Sequence, residues 1–221
     1  MKSLLRPLCH LMILGAGMTI ATSLNAQATV EGVVSPIPQP NPPPTDSRYH
    51  FKPGQVATAA KPVAIVYLEG ATGSRRAGKA NVMGQKGYQF EHFVLPVQTG
   101  TQVEFPNHDE DYHNVFSLSR VKRFDLGRYR KGETPPAMTF DKPGVVRLYC
   151  EIHKHMRGVI LVLDTPYFVT TSAEGKYRLT GLPAGSYTLK AWLDEKTILS
   201  SPVTIKSGQT LRMDFGGKTR G

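Results

Sequence analysis

From residue 61 onward, apolar positions come in short runs broken by Gly, Pro and Asn. The runs at 62–68 (Pro-Val-Ala-Ile-Val-Tyr-Leu), 88–95, 102–105, 114–116, 145–150 and 159–163 each read as a β-strand. No window of ten or more residues carries a helical period. After Asp164 the pattern turns to alternation. Tyr177, Leu179, Tyr187, Leu189 and Ala191 interleave with polar residues, and Val203, Ile205, Leu211, Met213 and Phe215 continue it. The turns Ala173-Glu174-Gly175 and Leu182-Pro183-Ala184-Gly185 separate these strands. The expectation is an all-β chain: a β-sandwich over 61–166 and a small C-terminal β-sandwich unit over 167–221. A unit of roughly fifty residues buries too little apolar surface to stand alone, so it must borrow cover from its neighbour. The short apolar run at 29–34 is a candidate for that cover.

The first residues change the picture of where the chain works. Lys2 and Arg6 precede a short apolar core at 11–21, and Ala26-Gln27-Ala28 has the A-x-A form of a cleavage site. Residues 1–28 therefore read as a signal peptide cut after Ala28, with export to the periplasm as the expectation. Residues 29–60 follow as a strand and a linker, in which six of the nine residues at 36–44 are proline. Such a stretch has fixed φ and few donors, and reads as a stiff spacer. No stretch approaches the eighteen or so apolar residues of a membrane span.

The chain has 27 Lys+Arg against 17 Asp+Glu among 221 residues, a net charge of +10. Removing Lys2 and Arg6 with the leader takes two from that, leaving +8. A basic exported protein is expected to meet acidic redox partners or anionic surfaces. Its basic residues are dispersed, which argues against nucleic acid. Loss of the leader also removes Cys9, so Cys150 becomes the single cysteine of the exported chain. A lone thiol in an oxidising compartment is either buried and inert or bound to something.

Its neighbours favour the second outcome. Cys150-Glu-Ile-His-Lys-His-Met156 sets a thiol, two imidazoles and a thioether within seven residues. Upstream lies Asn107-His-Asp-Glu-Asp-Tyr-His113-Asn114-Val115. Two imidazoles, one thiolate and a weak axial thioether form the donor set of an electron-transfer copper centre. Val146, Leu148 and Cys150 fall on one face of a strand, so the thiol leaves the core at the end of the sandwich. The following turn lets His153 and Met156 fold back. His113 is favoured over His108 because it opens the strand-like Asn-Val-Phe. His108 with Asp109, Glu110 and Asp111 reads as a solvated charge run. Met156 also reads as plain core, and His155 as an exposed loop residue. His92 and His50 have no evident partners.

Cys150-x-x-His153-x-x-Met156 with His113-Asn114-Val115 upstream resembles the small blue-copper proteins, the cupredoxins, with a loop length closest to the amicyanin type. Phe105-Pro-Asn107, His113-Asn-Val-Phe-Ser117 and Asp164-Thr-Pro-Tyr-Phe168 resemble exported plastocyanin-like proteins often labelled methylamine-utilisation proteins. The resemblance covers roughly 60–168. It implies a Greek-key sandwich and one copper ion per chain, with His113, Cys150, His153 and Met156 mapping onto the ligands. Two positions depart from the cupredoxin pattern: Ile152 stands where proline is common, and Glu151 where a small hydroxyl residue is. Glu151 is expected to accept from the Asn114 amide instead. Gly175-Lys-Tyr-Arg-Leu179, Leu182-Pro-Ala-Gly-Ser-Tyr187 and Trp192 resemble the transthyretin-like or carboxypeptidase regulatory-like sandwich, in which such residues form turns and core.

No nucleophile–base pair, paired carboxylates or phosphate-cradling loop is evident, so an enzyme is not expected. The resemblance implies a carrier of single electrons between redox partners. The competing expectations are a periplasmic copper chaperone or buffer, and an adhesion-like β protein in which the cluster is coincidence.

Overall fold

The computed structural model describes residues 27–35, 63–73 and 81–216. Most of the expected leader, with Cys9, and the proline-rich spacer, with His50, lie outside the described residues. The described chain is all β, with fifteen strands: β1 (Ala28–Val33), β2 (Ile65–Glu69), β3 (Asn81–Val82), β4 (Val94–Gln98), β5 (Thr101–Glu104), β6 (His113–Leu118), β7 (Arg123–Tyr129), β8 (Met138–Phe140), β9 (Gly144–Tyr149), β10 (Arg157–Leu163), β11 (Phe168–Thr170), β12 (Lys176–Leu182), β13 (Gly185–Trp192), β14 (Ile198–Ile205) and β15 (Thr210–Arg212). Among the described residues no helix is long and apolar enough to cross a membrane.

The strands form four sheets, ordered β12-β1-β15, β11-β2-β13-β14, β4-β10-β9-β6-β7 and β3-β5-β8. Three apolar layers lie between them. Val30 and Val34 meet Val66, Leu68, Leu179, Leu189 and Ile205 between the first two sheets. Ile65, Tyr67 and Trp192 meet Val94, Val159, Leu161 and Leu163 between the second and third. Val103, Phe105 and Phe140 meet Val115, Val146, Leu148 and Ile160 between the third and fourth.

The expected boundaries at 61–166 and 167–221 are crossed by β2. This strand pairs antiparallel with β11 and β13, not with any of β3–β10 that come directly after it in the chain. The reason is in its side chains. Ala64, Val66 and Leu68 point into one apolar layer while Ile65 and Tyr67 point into another, and a strand that is apolar on both faces needs cover on both. β1 lies between β12 and β15, pairing antiparallel with one and parallel with the other. The early run thus supplies the cover that the C-terminal alternation required. Ala28, the residue before the expected cut, is fully buried at the head of this strand. The result is a seven-stranded sandwich of β1, β2 and β11–β15 into which β3–β10 is inserted.

Three strands, β3, β7 and β8, lie outside the runs expected as strands: β3 and β8 are only two and three residues long, and β7 interleaves its apolar residues with charge. The run expected as one strand over 88–95 divides. β4 begins only at Val94, and residues 86–89 form a tight turn that closes with a Lys86 N–H to Gln89 C=O bond of 2.9 Å.

Trp192, the only tryptophan, sits in the layer between the two sandwiches at 2% exposure. Leu161→Ala opens that layer from the β10 side and is expected to destabilise the protein by about 2–5 kcal/mol. Trp192 emission and far-ultraviolet dichroism should then report one shared thermal transition, lowered together. Two separate transitions would show that the sandwiches do not share this layer.

Candidate metal centre

Strand pairing assembles the site. Phe116 pairs with Tyr149, which sets β6 beside β9. His113 at the head of β6 then meets Cys150 at the foot of β9. A register shift between Asn114 and Phe116 breaks the alternation there, and His113, Asn114 and Val115 are all buried. After Cys150 the chain turns, closed by a Met156 N–H to His153 C=O bond of 2.9 Å, and β10 begins at Arg157.

The ligand atoms of His113, Cys150 and His153 lie within 4.8 Å of one another. His113 Nδ1 is 3.0 Å from His153 Nδ1, which is 3.8 Å from Cys150 Sγ. His113 is 0% exposed, Cys150 3% and His153 7%. Met156, 1% exposed, shares the apolar layer that contains Cys150. His108 is outside this group: its side chain is 45% exposed, 3.9 Å from Glu91. His155 contacts the backbone carbonyl of Tyr88 through Nε2 at 3.0 Å.

Asp109, expected in a solvated charge run, has a different place. Its Oδ2 accepts from His113 Nε2 at 2.8 Å and from the Tyr88 N–H at 3.0 Å, and its Oδ1 accepts from the Gly87 N–H at 2.8 Å. Burial would raise its carboxyl, but these bonds hold it below the usual carboxylate range. An ionised carboxylate only accepts, so His113 carries its proton on Nε2 and turns Nδ1 toward Cys150 and His153. A carboxylate behind the outer nitrogen is how metal-binding imidazoles are commonly oriented. The signal available in the sequence was the four-residue spacing from Asp109 to His113.

Glu151 corrects a second expectation. Its backbone N–H donates to Asn114 Oδ1 at 3.2 Å, while its carboxylate pairs with Arg128 at 3.1 Å. The Asn114 amide nitrogen donates to Asp125 Oδ1 at 2.7 Å and Gly127 C=O at 3.0 Å. One side chain thereby ties β6 to β7 and to the Cys150 turn. No hydroxyl is needed at position 151, because the main chain makes the bond.

Tyr88 was also not singled out. It is the one non-glycine residue with positive φ among those described, at 58°, beside Gly87 at 63°. Two consecutive residues of positive φ suit a two-residue hairpin turn, at a cost of about 1–2 kcal/mol for a side-chain-bearing residue. Its hydroxyl bonds Asp111, and its ring stands edge-on to His113 at 5.6 Å and His153 at 5.0 Å. Burial and Asp111 push its phenol up to about 12.

Charge within the site is shared. Burial would raise the Cys150 thiol, but the side chains of His113 and His153 and the backbone N–H groups of His153 and Asn114 bring it down to about 6. Burial also disfavours a charged His113, yet Asp109 and Cys150 raise it to about 9. The arrangement therefore offers a buried thiolate and two converging imidazole nitrogens that could hold a metal ion.

The thiol's contribution to stability is complete above its ordinary value of 9 and is lost as pH falls through about 6. The imidazolium's is complete below 6.5 and is lost as pH rises through about 9. In protein freed of metal, ultraviolet thiolate absorption is expected to rise with a midpoint near pH 6 and to move back toward 9 in His113→Gln. A wild-type midpoint near 9 would contradict the thiolate–imidazolium pairing.

Comparison with known proteins gives two likenesses. Residues 157–216 match the carboxypeptidase regulatory-like domain, a span that starts on β10. Among solved structures, a reduced Cu(I) amicyanin variant at pH 4 aligns at 23% identity, covering 44% of this chain and 98% of its own, with a TM-score of 0.36. A second Cu(I) amicyanin variant aligns at 22% with the same coverage and score, and an oxidised variant at 23%. No curated protein matches the sequence. The chain is thus similar to carboxypeptidase regulatory-like domains over 157–216 and to amicyanins over less than half its length.

Proposed function

We propose that the chain is an exported, mononuclear type 1 copper protein that carries single electrons, with His113, Cys150, His153 and Met156 as ligands. The observation that carries the reading is the convergence of one thiol and two imidazole nitrogens within 4.8 Å, all buried. Thiolate and thioether suit Cu(I), and imidazole suits either oxidation state. A copper ion held there supplies a one-electron couple.

The chain's own residues supply the rest. Asp109 fixes the face that His113 presents. The Cys150 thiol, lowered to about 6, is ionised at neutral pH without a separate base. Asn114 and the Met156–His153 bond hold the Cys150 turn in register. The surrounding apolar layer limits solvent access, and a rigid frame suits a carrier that exchanges an electron without rearranging its ligands. The leader-like residues 1–28 support a periplasmic location, and the net charge of +8 after cleavage supports acidic redox partners.

A soft, buried donor set also suits a chaperone or buffer that holds Cu(I) without cycling it. Visible absorption during titration with Cu(II) separates the two. The expected result is an intense blue or green band that saturates at one copper per chain and is absent in Cys150→Ser. A protein that stays colourless and takes up only Cu(I) would move the assignment to copper handling. Uptake of neither ion would refute both.

A further inference from the structure

A strap formed by residues 83–91 crosses the metal centre. It is pinned at both ends. The Gln85 backbone N–H donates to Pro106 C=O at 3.0 Å, and its C=O accepts from the His108 N–H at 2.8 Å. Its side-chain amide donates to the Tyr129 hydroxyl at 2.6 Å. At the other end, Phe90 packs into the layer that holds Cys150 and Met156. Position 158 is glycine where this ring passes, and a Cβ there would stand 3.1 Å from it. Between the pins the chain makes the tight turn of Lys86–Gln89, with Gly87 and Tyr88 both at positive φ.

A glycine at position 88 would take that conformation without penalty. The chain instead places a phenol there and restrains it from several directions. The Tyr88 N–H reaches Asp109, its C=O meets His155 Nε2 at 3.0 Å, and its hydroxyl meets Asp111. The ring so held stands edge-on to both candidate imidazole ligands. His113, Cys150 and Met156 are 3% exposed or less, so His153 at 7% is the most open member of the set, and the Tyr88 ring lies closer to it, at 5.0 Å, than to His113, at 5.6 Å. Strained backbone persists where surrounding contacts over-determine it and something depends on it.

We propose that Tyr88 is a positioning and screening residue of the metal centre: its ring holds the two imidazoles in orientation and denies the ion an external ligand. The inference rests on the copper reading above. It adds that the centre is confined to electron exchange through its ligands, because the Tyr88 ring stands beside its most open member, His153, where a small anion or substrate would approach. The ring does this, not the hydroxyl. The hydroxyl anchors the ring through Asp111, but the faces and edges that block approach are carbon.

The test uses the full exported chain as wild type, Tyr88→Phe and Tyr88→Gly, loaded with Cu(II) and titrated with azide. The absorption and electron paramagnetic resonance spectra of wild type and Tyr88→Phe are expected to stay unchanged. Tyr88→Gly, which relieves the backbone while removing the ring, is expected to bind azide at least about tenfold more tightly than wild type, with a shifted copper spectrum. Unchanged Trp192 emission would establish that the variant remains folded. Azide binding equally well to wild type, or no better to Tyr88→Gly, would overturn the screening role.

Positioning is read without metal, from the imidazole resonances of His113 and His153. Single sharp sets are expected in wild type and Tyr88→Phe, and broadened or doubled sets in Tyr88→Gly. Identical imidazole spectra in all three proteins would overturn it. Failure of all three to take up copper would count against the copper reading instead, and the metal-free spectra would still decide the role of the ring.

Discussion

β10 has no polar face. Ile160 and Val162 close the layer that contains Cys150, while Val159, Leu161 and Leu163 close the layer that contains Trp192. A strand of this kind must lie inside the molecule, and the rest of the architecture follows from satisfying both sides. One side requires a sheet bearing Val103, Phe105 and Phe140; the other requires a sheet bearing Ile65, Tyr67 and Trp192. The unit that holds the candidate metal site is therefore not suspended from a linker. It is built onto the seven-stranded sandwich through a common wall, and the strand that begins just after Met156 is part of that wall.

The site poses the opposite problem, since it sets a thiol and two imidazoles within an apolar layer. Buried polar groups are costly unless each has a partner. The chain answers with a connected set in which Asp109 serves His113, Gly87 and Tyr88 at once. Asn114 does the same for the Cys150 turn and for β7. These two short polar side chains replace solvent around the site. They also fix its shape independently of the exposed pairs nearby, such as Arg128 with Glu151, which lie in water and contribute little.

Much of this was legible in the sequence. The runs that became β2, β9 and β10 were visible, as was the Cys150–Met156 cluster, because apolar alternation and ligand spacing are local properties. The continuous apolarity of 62–68 and 159–163 also held the clue to two-sided burial, although the pattern alone does not say which strands provide the second cover. That is why β2 was placed with the wrong sheet. β7 was missed because its alternating pair, Phe124 and Leu126, is only half-buried and stands among charged residues and a glycine. Asp109 and Tyr88 were missed for a different reason. The Asp109–His113 bond was signalled only by a four-residue spacing inside an acidic run, and the role of Tyr88 depends on where the fold carries the 86–89 turn, which no spacing encodes. A Tyr beside a Gly reads as an ordinary strand start until its φ is known.

The insertion has a mechanical consequence. β1 and β15 lie side by side and parallel, so the two ends of the described chain leave this sheet at opposite ends of the paired strands. A pull applied between those ends loads the β1–β15 ladder in shear, with its bonds sharing the force rather than opening one by one. The inserted strands β3–β10 carry none of that tension while the ladder holds. A tether at either end of this protein would stretch the host sandwich and leave the distances among His113, Cys150 and His153 undisturbed.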